Sequence, residues 1–368
     1  MFLRKNKFSI KDKYFMNLAL NQARDCAGLT GKNPPVGCVI VNDSHIVSLG
    51  RTNFNGRPHA EFNAIRNINK NINVTTIYIS LEPCNHYGVT KPCTNHIIKK
   101  KIKKVIYSIN DVDNRTKGKS FKILKSEKIQ VKTGLLKSKI NKFYENYFIN
   151  RKKNIPFVTG KIAISKNNLI YSEKQRKITN KYSNDLNHLL RYKNDMILIS
   201  YRTLNKDNPK LGCRINGLEK FSPRRVILDK YLDTKINSYI FTTVKKNNTI
   251  IFYNKANLKK IRIFKKKGIK LIQLNIKQGK NFDLNVILKK LYSLGCRNLL
   301  VEGGKNLSID FFNKKLFHQF YLFKSSYNIS KVGEYKEFNP LKYLLRNYKY
   351  KSKISAYLAN DVVYLYKN

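Results

Sequence analysis

His59, Cys84 and Cys93 constrain this chain more than any other feature, because they have the chemistry of a zinc ligand set yet lie on separate stretches of sequence. Zinc takes His nitrogen and Cys thiolate readily, and a catalytic zinc keeps three protein ligands so that a fourth position stays open. A fold that uses them must bring the start of one element and the end of another to a single point. Asn55-Gly56 and Pro58 form a turn before His59, and Ala60-Glu61-Phe62-Asn63-Ala64-Ile65 opens a helix that holds His59 and Glu61 near its first turn. Thr76 to Leu81 reads as a strand ending at Glu82-Pro83-Cys84. A His-Ala-Glu triplet alone is common, and a lone cysteine is usually a small buried hydrophobe. The combination is what points to a metal site, with zinc as the cofactor.

Glu61 has a different task from the ligands. A His-x-Glu triplet with Pro-Cys downstream resembles the signature of zinc deaminases, in which the glutamate binds no metal and moves protons. Zinc lowers the pKa of water at its open position, so that hydroxide can attack an amino-bearing ring carbon and ammonia can leave. A fourth protein ligand would close that position, so His86 reads as a loop or substrate contact.

The chain has 368 residues, enough for two domains, and its 42% hydrophobic content is sufficient for ordinary cores. There is no apolar run of about 18 residues, and Met1 to Lys7 lack the apolar core of a signal peptide, so the expected location is the cytoplasm with no membrane partner. Two of the six cysteines belong to the metal set; Cys26, Cys38, Cys213 and Cys296 show no framework spacing, and no disulfide is expected. The net charge of +52 would ordinarily suggest nucleic acid. Here Lys, Asn, Ile, Tyr and Phe crowd every segment while Trp is absent, which is the residue usage of an AT-rich genome. Most of the charge therefore reads as solvated faces, with no nucleic-acid partner, although such a field still attracts anionic small molecules.

The first region alternates helix and strand: a helix from Asp12 to Ala27 with Phe15, Leu18, Ala19 and Gln22 inward, and a hairpin of Val36 to Val41 and Ile46 to Gly50 around Asn42-Asp43. Strands at Thr76 to Leu81, Lys104 to Ile109 and Ile129 to Thr133 follow, with helices at Asn95 to Lys101 and Lys119 to Ser126. The polar, basic residues 150–155 read as a linker between a domain at 1–149 and a domain at 156–368. In the second, strands are expected at Phe157 to Ile164, Asp195 to Ser200, Arg225 to Leu228, Thr249 to Phe252, Ile269 to Leu274, Asn298 to Val301 and Gln319 to Phe323. Helices at Asn180 to Tyr192 and Leu284 to Leu294 complete a second α/β domain.

The spacing of the cysteines narrows the deaminase reading. Nucleoside and nucleic-acid deaminases show Pro-Cys-x-x-Cys, whereas eight residues separate Cys84 from Cys93. With Asn33-Pro34-Pro35-Val36-Gly37, Pro58-His59-Ala60-Glu61 and Leu81-Glu82-Pro83-Cys84, the chain resembles the bifunctional riboflavin-biosynthesis deaminase/reductase family over nearly its whole length. The resemblance implies an N-terminal cytidine-deaminase-like αβα sandwich and a C-terminal dihydrofolate-reductase-like α/β domain. It implies a phosphorylated small-molecule pyrimidine, 2,5-diamino-6-(5-phosphoribosylamino)pyrimidin-4(3H)-one, deaminated hydrolytically in the first domain, with Asn33 on the substrate and Lys91 and Asn114 as further contacts. In the second, NADPH reduces the ribosyl group to ribityl.

By the residues alone, the second half offers one local signal, the strand Leu299-Leu300-Val301 running through Glu302-Gly303-Gly304 into a helix, a junction whose amides can meet a phosphate or form a plain turn. The resemblance implies that Ala163, Lys177, Thr203, Asp207, Lys230, Gly304, Lys305, Asn306 and Leu307 contact the cofactor. It places Gln175, Arg191, Leu211, Arg214 and Glu302 on the substrate, with the Arg191 guanidinium on its phosphate. This chain departs from the family pattern with Lys166-Asn167-Asn168 after the first strand, Lys177 in place of an aromatic and Lys230 in place of a serine. A nucleic-acid or nucleoside zinc deaminase, a non-catalytic binding or regulatory protein with a structural zinc, and a family member with a decayed reductase domain stay open as rival readings, and the sequence leaves room for a homo-oligomer.

Overall fold

A computed structural model of the chain describes residues 8–68, 75–175, 177–245, 248–276 and 281–368; the N-terminal Met1 to Lys7 lie outside them. The chain divides into two compact units, Met1–Ile155 and Pro156–Asn368.

In the first unit the order is α1 (Ile10–Asp25), β1 (Gly37–Asn42), β2 (His45–Arg51), α2 (Ala60–Arg66), β3 (Thr76–Leu81), α3 (Cys93–Lys99), β4 (Lys104–Ile109), α4 (Lys119–Ser126), β5 (Gln130–Thr133), α5 (Lys137–Phe143) and α6 (Glu145–Lys153). One sheet runs β2-β1-β3-β4-β5, antiparallel at its first two pairings and parallel at the last two. Ser9 caps α1 in a reciprocal box with Asp12. The face that α1 buries is Phe15, Met16, Ala19, Leu20 and Ala23; Leu18 and Gln22, expected inward, lie toward its edge. The hairpin turns on Asp43 and Ser44, both at positive φ, one residue later than expected.

Two glycines set the layers. A Cβ on Gly37 would stand 1.9 Å from the Ala19 carbonyl oxygen of α1, and one on Gly50 would stand 2.2 Å from the Ala60 oxygen of α2. Gly50 pairs with Cys38, the residue after Gly37, so the alternation along a strand puts α1 and α2 on opposite faces of the sheet. The result is the expected αβα sandwich. The basic stretch read as a linker is different: residues 150–153 are the last turn of α6, with Asn154 in the left-handed region as its stop.

The second unit holds β6 (Phe157–Ile164), β7 (Leu169–Ser172), α7 (Lys181–Tyr192), β8 (Met196–Ser200), α8 (Tyr201–Asp207), β9 (Arg224–Leu228), α9 (Tyr239–Thr242), β10 (Thr249–Tyr253), α10 (Leu258–Lys266) and β11 (Lys270–Gln273). It continues with α11 (Leu284–Ser293), β12 (Asn298–Val301), α12 (Lys305–Asn313), β13 (Gln319–Lys324), β14 (Tyr335–Glu337), α13 (Leu341–Asn347), β15 (Tyr350–Lys353) and β16 (Val362–Lys367). The nine-stranded sheet runs β11-β10-β9-β8-β12-β6-β13-β16-β15. It is parallel up to β13, while β16 runs antiparallel to both β13 and β15. β8 is apolar and buried from Met196 to Ile199, and β10, one strand in from the edge, is buried throughout, as a sheet covered on both faces requires. β7 and β14 form a separate two-stranded ribbon.

Candidate active sites

Each ligand of the first site is mounted where an element begins or ends. His59 is the N-cap residue of α2 with extended backbone, and its ring makes no capping bond. Because Gly50 has no side chain, α2 lies directly on β2, which seats His59 and Glu61 against the sheet. The fully buried β3 delivers Glu82, Pro83 and Cys84, and Cys93 opens α3. The three ligand atoms lie within 4.8 Å of one another. His59 Nδ1 is 3.5 Å from Cys84 Sγ and 3.4 Å from Cys93 Sγ. Bonds of about 2.0 Å to nitrogen and about 2.3 Å to sulfur meeting at a tetrahedral angle separate the two atoms by about 3.5 Å, so this donor set fits zinc. His86 is not among the clustered ligands.

The electrostatics suit the same purpose. The Cys93 backbone amide donates to Cys84 Sγ at 3.3 Å, and the Cys93 and His59 side chains also contact that sulfur. These contacts hold the Cys84 thiol well below its ordinary pKa, whereas the neighbouring sulfur and burial push Cys93 up. Glu61 is 3% exposed. Burial first, and then the Cys84 thiolate, raise its carboxyl to about 7, where it can both take and give a proton near neutrality.

Asn33 is pinned beside the turn that leads into His59: its Nδ2 donates to the Gly56 carbonyl at 2.8 Å. Gly56 sits at φ +88, and a Cβ there would lie 2.6 Å from the Thr30 oxygen, so only glycine allows the approach. Asn114 and Lys91 are exposed. Glu82 accepts hydrogen bonds from backbone amides 29, 36 and 38 residues downstream, partners that no local sequence pattern reveals.

In the second unit a cavity of about 740 Å³ opens at the carboxyl ends of β6, β8 and β12, the usual ligand position of an open parallel sheet. Of the expected contacts, Ala163, Thr203, Asp207, Leu211, Glu302, Gly304, Lys305, Asn306 and Leu307 line it. Gly304 is the N-cap of α12 and offers no side chain, so the amides of that first turn have no capping acceptor. A Cβ on Gly304 would be 3.4 Å from Thr203 Oγ1, and Thr203 N in turn donates to the Ser200 hydroxyl at 3.3 Å. Size, glycine junction and open amides fit a phosphate-bearing cofactor.

Other expected contacts are not on the cavity wall. Lys177 and Arg214 are exposed, Gln175 is half-buried, and Lys230 follows the end of β9. Arg191, expected on a substrate phosphate, is buried and turned to protein partners instead: Nε and Nη2 donate to Glu302 at 2.7 and 2.9 Å, and Nη1 to the Gly212 carbonyl at 3.2 Å. The physical reason is charge, since Glu302 is a largely buried carboxylate that needs a nearby cation. Lys161 was not singled out from the sequence, yet it lines the cavity beside Ala163, its ammonium 4.9 Å from the centre of the Phe323 ring. Burial lowers its pKa against the opposing pull of Glu302. Strand alternation puts Lys161 and Ala163 on one face, a signal already present in the expected strand.

Comparison with known proteins matches residues 9–109 to the cytidine and deoxycytidylate deaminase zinc-binding region and residues 161–328 to the RibD C-terminal domain. The riboflavin biosynthesis protein RibD of Aquifex aeolicus is 33% identical over 314 residues, covering 85% of this chain and 86% of that protein. That of Actinobacillus pleuropneumoniae is 30% identical over 82% of this chain and 80% of its own length. Among solved structures, RibD of Acinetobacter baumannii shares the fold with a TM-score of 0.82 at 22% identity, over 97% of this chain and 98% of that one. The deaminase/reductase of Thermotoga maritima does so at 0.76 and 24%, with the same coverage. Among the described residues no helix is long and apolar enough to cross a membrane. With a ligand cluster that fits zinc and a cofactor-sized cavity among the described residues, and relatives matched along most of its length, the chain belongs to the RibD family of riboflavin biosynthesis proteins.

Proposed function

We propose that the chain catalyses two successive reactions on one phosphorylated pyrimidine. The first is hydrolytic deamination of 2,5-diamino-6-(5-phosphoribosylamino)pyrimidin-4(3H)-one. The second is NADPH-dependent reduction of the ribosyl group, giving 5-amino-6-(5-phosphoribitylamino)uracil. The observation that carries this reading is the His59, Cys84 and Cys93 cluster with buried Glu61 beside it, on the same chain as the Gly304 cavity.

In the deaminase unit His59, Cys84 and Cys93 hold the metal, which supplies a Lewis acid that makes water nucleophilic near neutral pH. Glu61 takes a proton from the attacking water and delivers it to the departing amine. Asn33 holds the pyrimidine edge, its amide nitrogen already engaged by Gly56 so that its Oδ1 is left as an acceptor.

In the reductase unit the first turn of α12, with Gly304 to Leu307, takes the cofactor phosphates, and Thr203 and Asp207 form the facing wall. Bound there, NADPH would supply the hydride for the ribosyl carbon, whose bond to the ring oxygen opens as that oxygen takes up a proton. Glu302 and Lys161 face the sugar, Leu211 lines the same space, and Arg214 supplies a cation for the substrate phosphate. Arg191 serves the substrate through Glu302. Gln175, Lys177 and Lys230 are assigned to the outer parts of substrate and cofactor.

The full chain, supplied with the diamino nucleotide, should release ammonia without NADPH and form the ribityl product only when NADPH is added; mass spectrometry of both mixtures tests each half. Ammonia release without any NADPH-dependent product would mean that the reductase half has decayed.

A further inference from the structure

We propose that Glu82 is a positioning residue for the deaminase site: its carboxylate ties the loop of residues 111–120 to the ligand loop that begins at Cys84, and through Thr116 sets the ring of His86. The inference rests on the deaminase reading above.

Glu82 leaves β3 two residues before Cys84 and is 3% exposed. Its Oε2 accepts the backbone amides of Asp111 at 3.1 Å and Gly118 at 3.0 Å, and its Oε1 accepts that of Ser120 at 3.2 Å. One carboxylate therefore closes both ends of a loop. An ionised carboxylate only accepts, so three converging N–H groups suit it, and charge makes each bond stronger than a neutral one.

The loop returns two bonds to the ligand side. Ser120 Oγ donates to the Pro83 carbonyl at 2.6 Å, next to Cys84, and Thr116 Oγ1 pairs with His86 Nδ1 at 3.2 Å. With Nδ1 engaged, His86 has Nε2 left for a ligand. Tyr147 of α6 braces the start of the loop by donating to Asp111 Oδ1 at 2.9 Å. Glu82 belongs to neither the metal cluster nor the proton path, so its effect on turnover must pass through this loop.

The test is Glu82→Gln in the full-length protein, which sets an NH2 group against a backbone N–H. Zinc content and NADPH-dependent reduction should stay at wild-type levels, while the deaminase KM rises about ten- to a hundred-fold and kcat changes less, the range seen when groups that orient an active site are removed. Thr116→Val should raise KM in the same direction, and the double variant should be no worse than Glu82→Gln. Unchanged deaminase kinetics, or loss of zinc or of reductase turnover in step with deamination, would overturn the assignment. If Glu82→Gln is insoluble, Thr116→Val and Ser120→Ala carry the test, and an unchanged KM in both overturns it. Amide hydrogen exchange separates this inference from the reading beneath it: in Glu82→Gln the amides of Gly118 and Ser120 should exchange faster even if the wild-type chain proved to deaminate nothing. Unaltered exchange there would sink the role of Glu82 alone.

Discussion

Arg191 forms a two-point ion pair with Glu302, which lines the reductase cavity, Nε to Oε1 at 2.7 Å and Nη2 to Oε2 at 2.9 Å. Burial alone would raise the Glu302 carboxyl, but the charge and hydrogen bonds of Arg191 prevail and hold it at about 2, against an ordinary 4.5. The stabilisation from this carboxylate is therefore complete above pH 4.5 and lost as the pH falls from there toward 2. Glu302→Gln leaves a buried guanidinium without a counterion and should cost the second unit about 3–5 kcal/mol. Calorimetric unfolding between pH 7 and 2 checks both statements: the variant should unfold earlier at neutral pH and lose the part of the acid dependence that Glu302 supplies.

Replacing Glu61 by Gln removes the proton carrier while leaving His59, Cys84 and Cys93 intact. Deamination should fall by about a hundred- to ten-thousand-fold, the usual worth of a positioned acid/base group. Metal analysis should show wild-type zinc, and NADPH-dependent reduction of deaminated substrate should be unaffected. Retained deamination would remove Glu61 from the mechanism.

The extent to which these sites could be read beforehand follows from how each residue acts. His59, Cys84 and Cys93 were legible because few residue types bind zinc and each stands at an element boundary that local pattern reveals. Gly304 was legible because the strand, the glycines and the helix are consecutive. Arg191 and Glu302 are 111 residues apart, and no local signal says that one guanidinium will turn from a ligand to a carboxylate. Glu82 is equally opaque, since its partners are main-chain groups without residue identity. β15, Tyr-Lys-Ser-Lys, is exposed along its whole length and shows no apolar alternation, so the sheet's last antiparallel edge was missed.

Chelation should separate the two activities. The zinc ligands lie in the first unit and the cofactor cavity in the second, so a strong chelator should abolish ammonia release and spare NADPH oxidation with deaminated substrate. Stripping the metal also frees Cys84, which is partly exposed, whereas Cys93 is buried like Cys26, Cys38, Cys213 and Cys296. Thiol titration under native conditions should then find one more reactive cysteine than in the zinc-loaded protein, and added zinc should reverse both effects.

Gly50→Ala tests how α2 is seated. The new methyl would stand 2.2 Å from the Ala60 oxygen and 2.6 Å from the Ala64 nitrogen, both backbone atoms of the helix that begins right after His59. Overpacking of this kind costs about 1–3 kcal/mol, and relief requires α2 to move outward with Glu61 on it. Deaminase kcat should fall more than tenfold, since an ångström of misplacement can cost about a hundredfold, while reductase kinetics stay unchanged. Equal losses in both reactions would show that the glycine serves general stability.

Gly304→Asp should move stability and cofactor affinity in opposite directions. Gly304 is an N-cap with extended backbone and no capping side chain, a position where Asp is favoured over Gly by a few tenths of a kcal/mol. The second unit should therefore unfold at the same temperature as wild type or slightly higher. The same carboxylate would occupy the amides of α12 and place a negative charge where the cofactor's phosphates are expected, and like charges brought together cost several kcal/mol. NADPH affinity, measured by fluorescence titration without substrate, should drop at least tenfold while ammonia release is unaltered. Unchanged NADPH binding would mean that the cofactor phosphates lie elsewhere in the cavity.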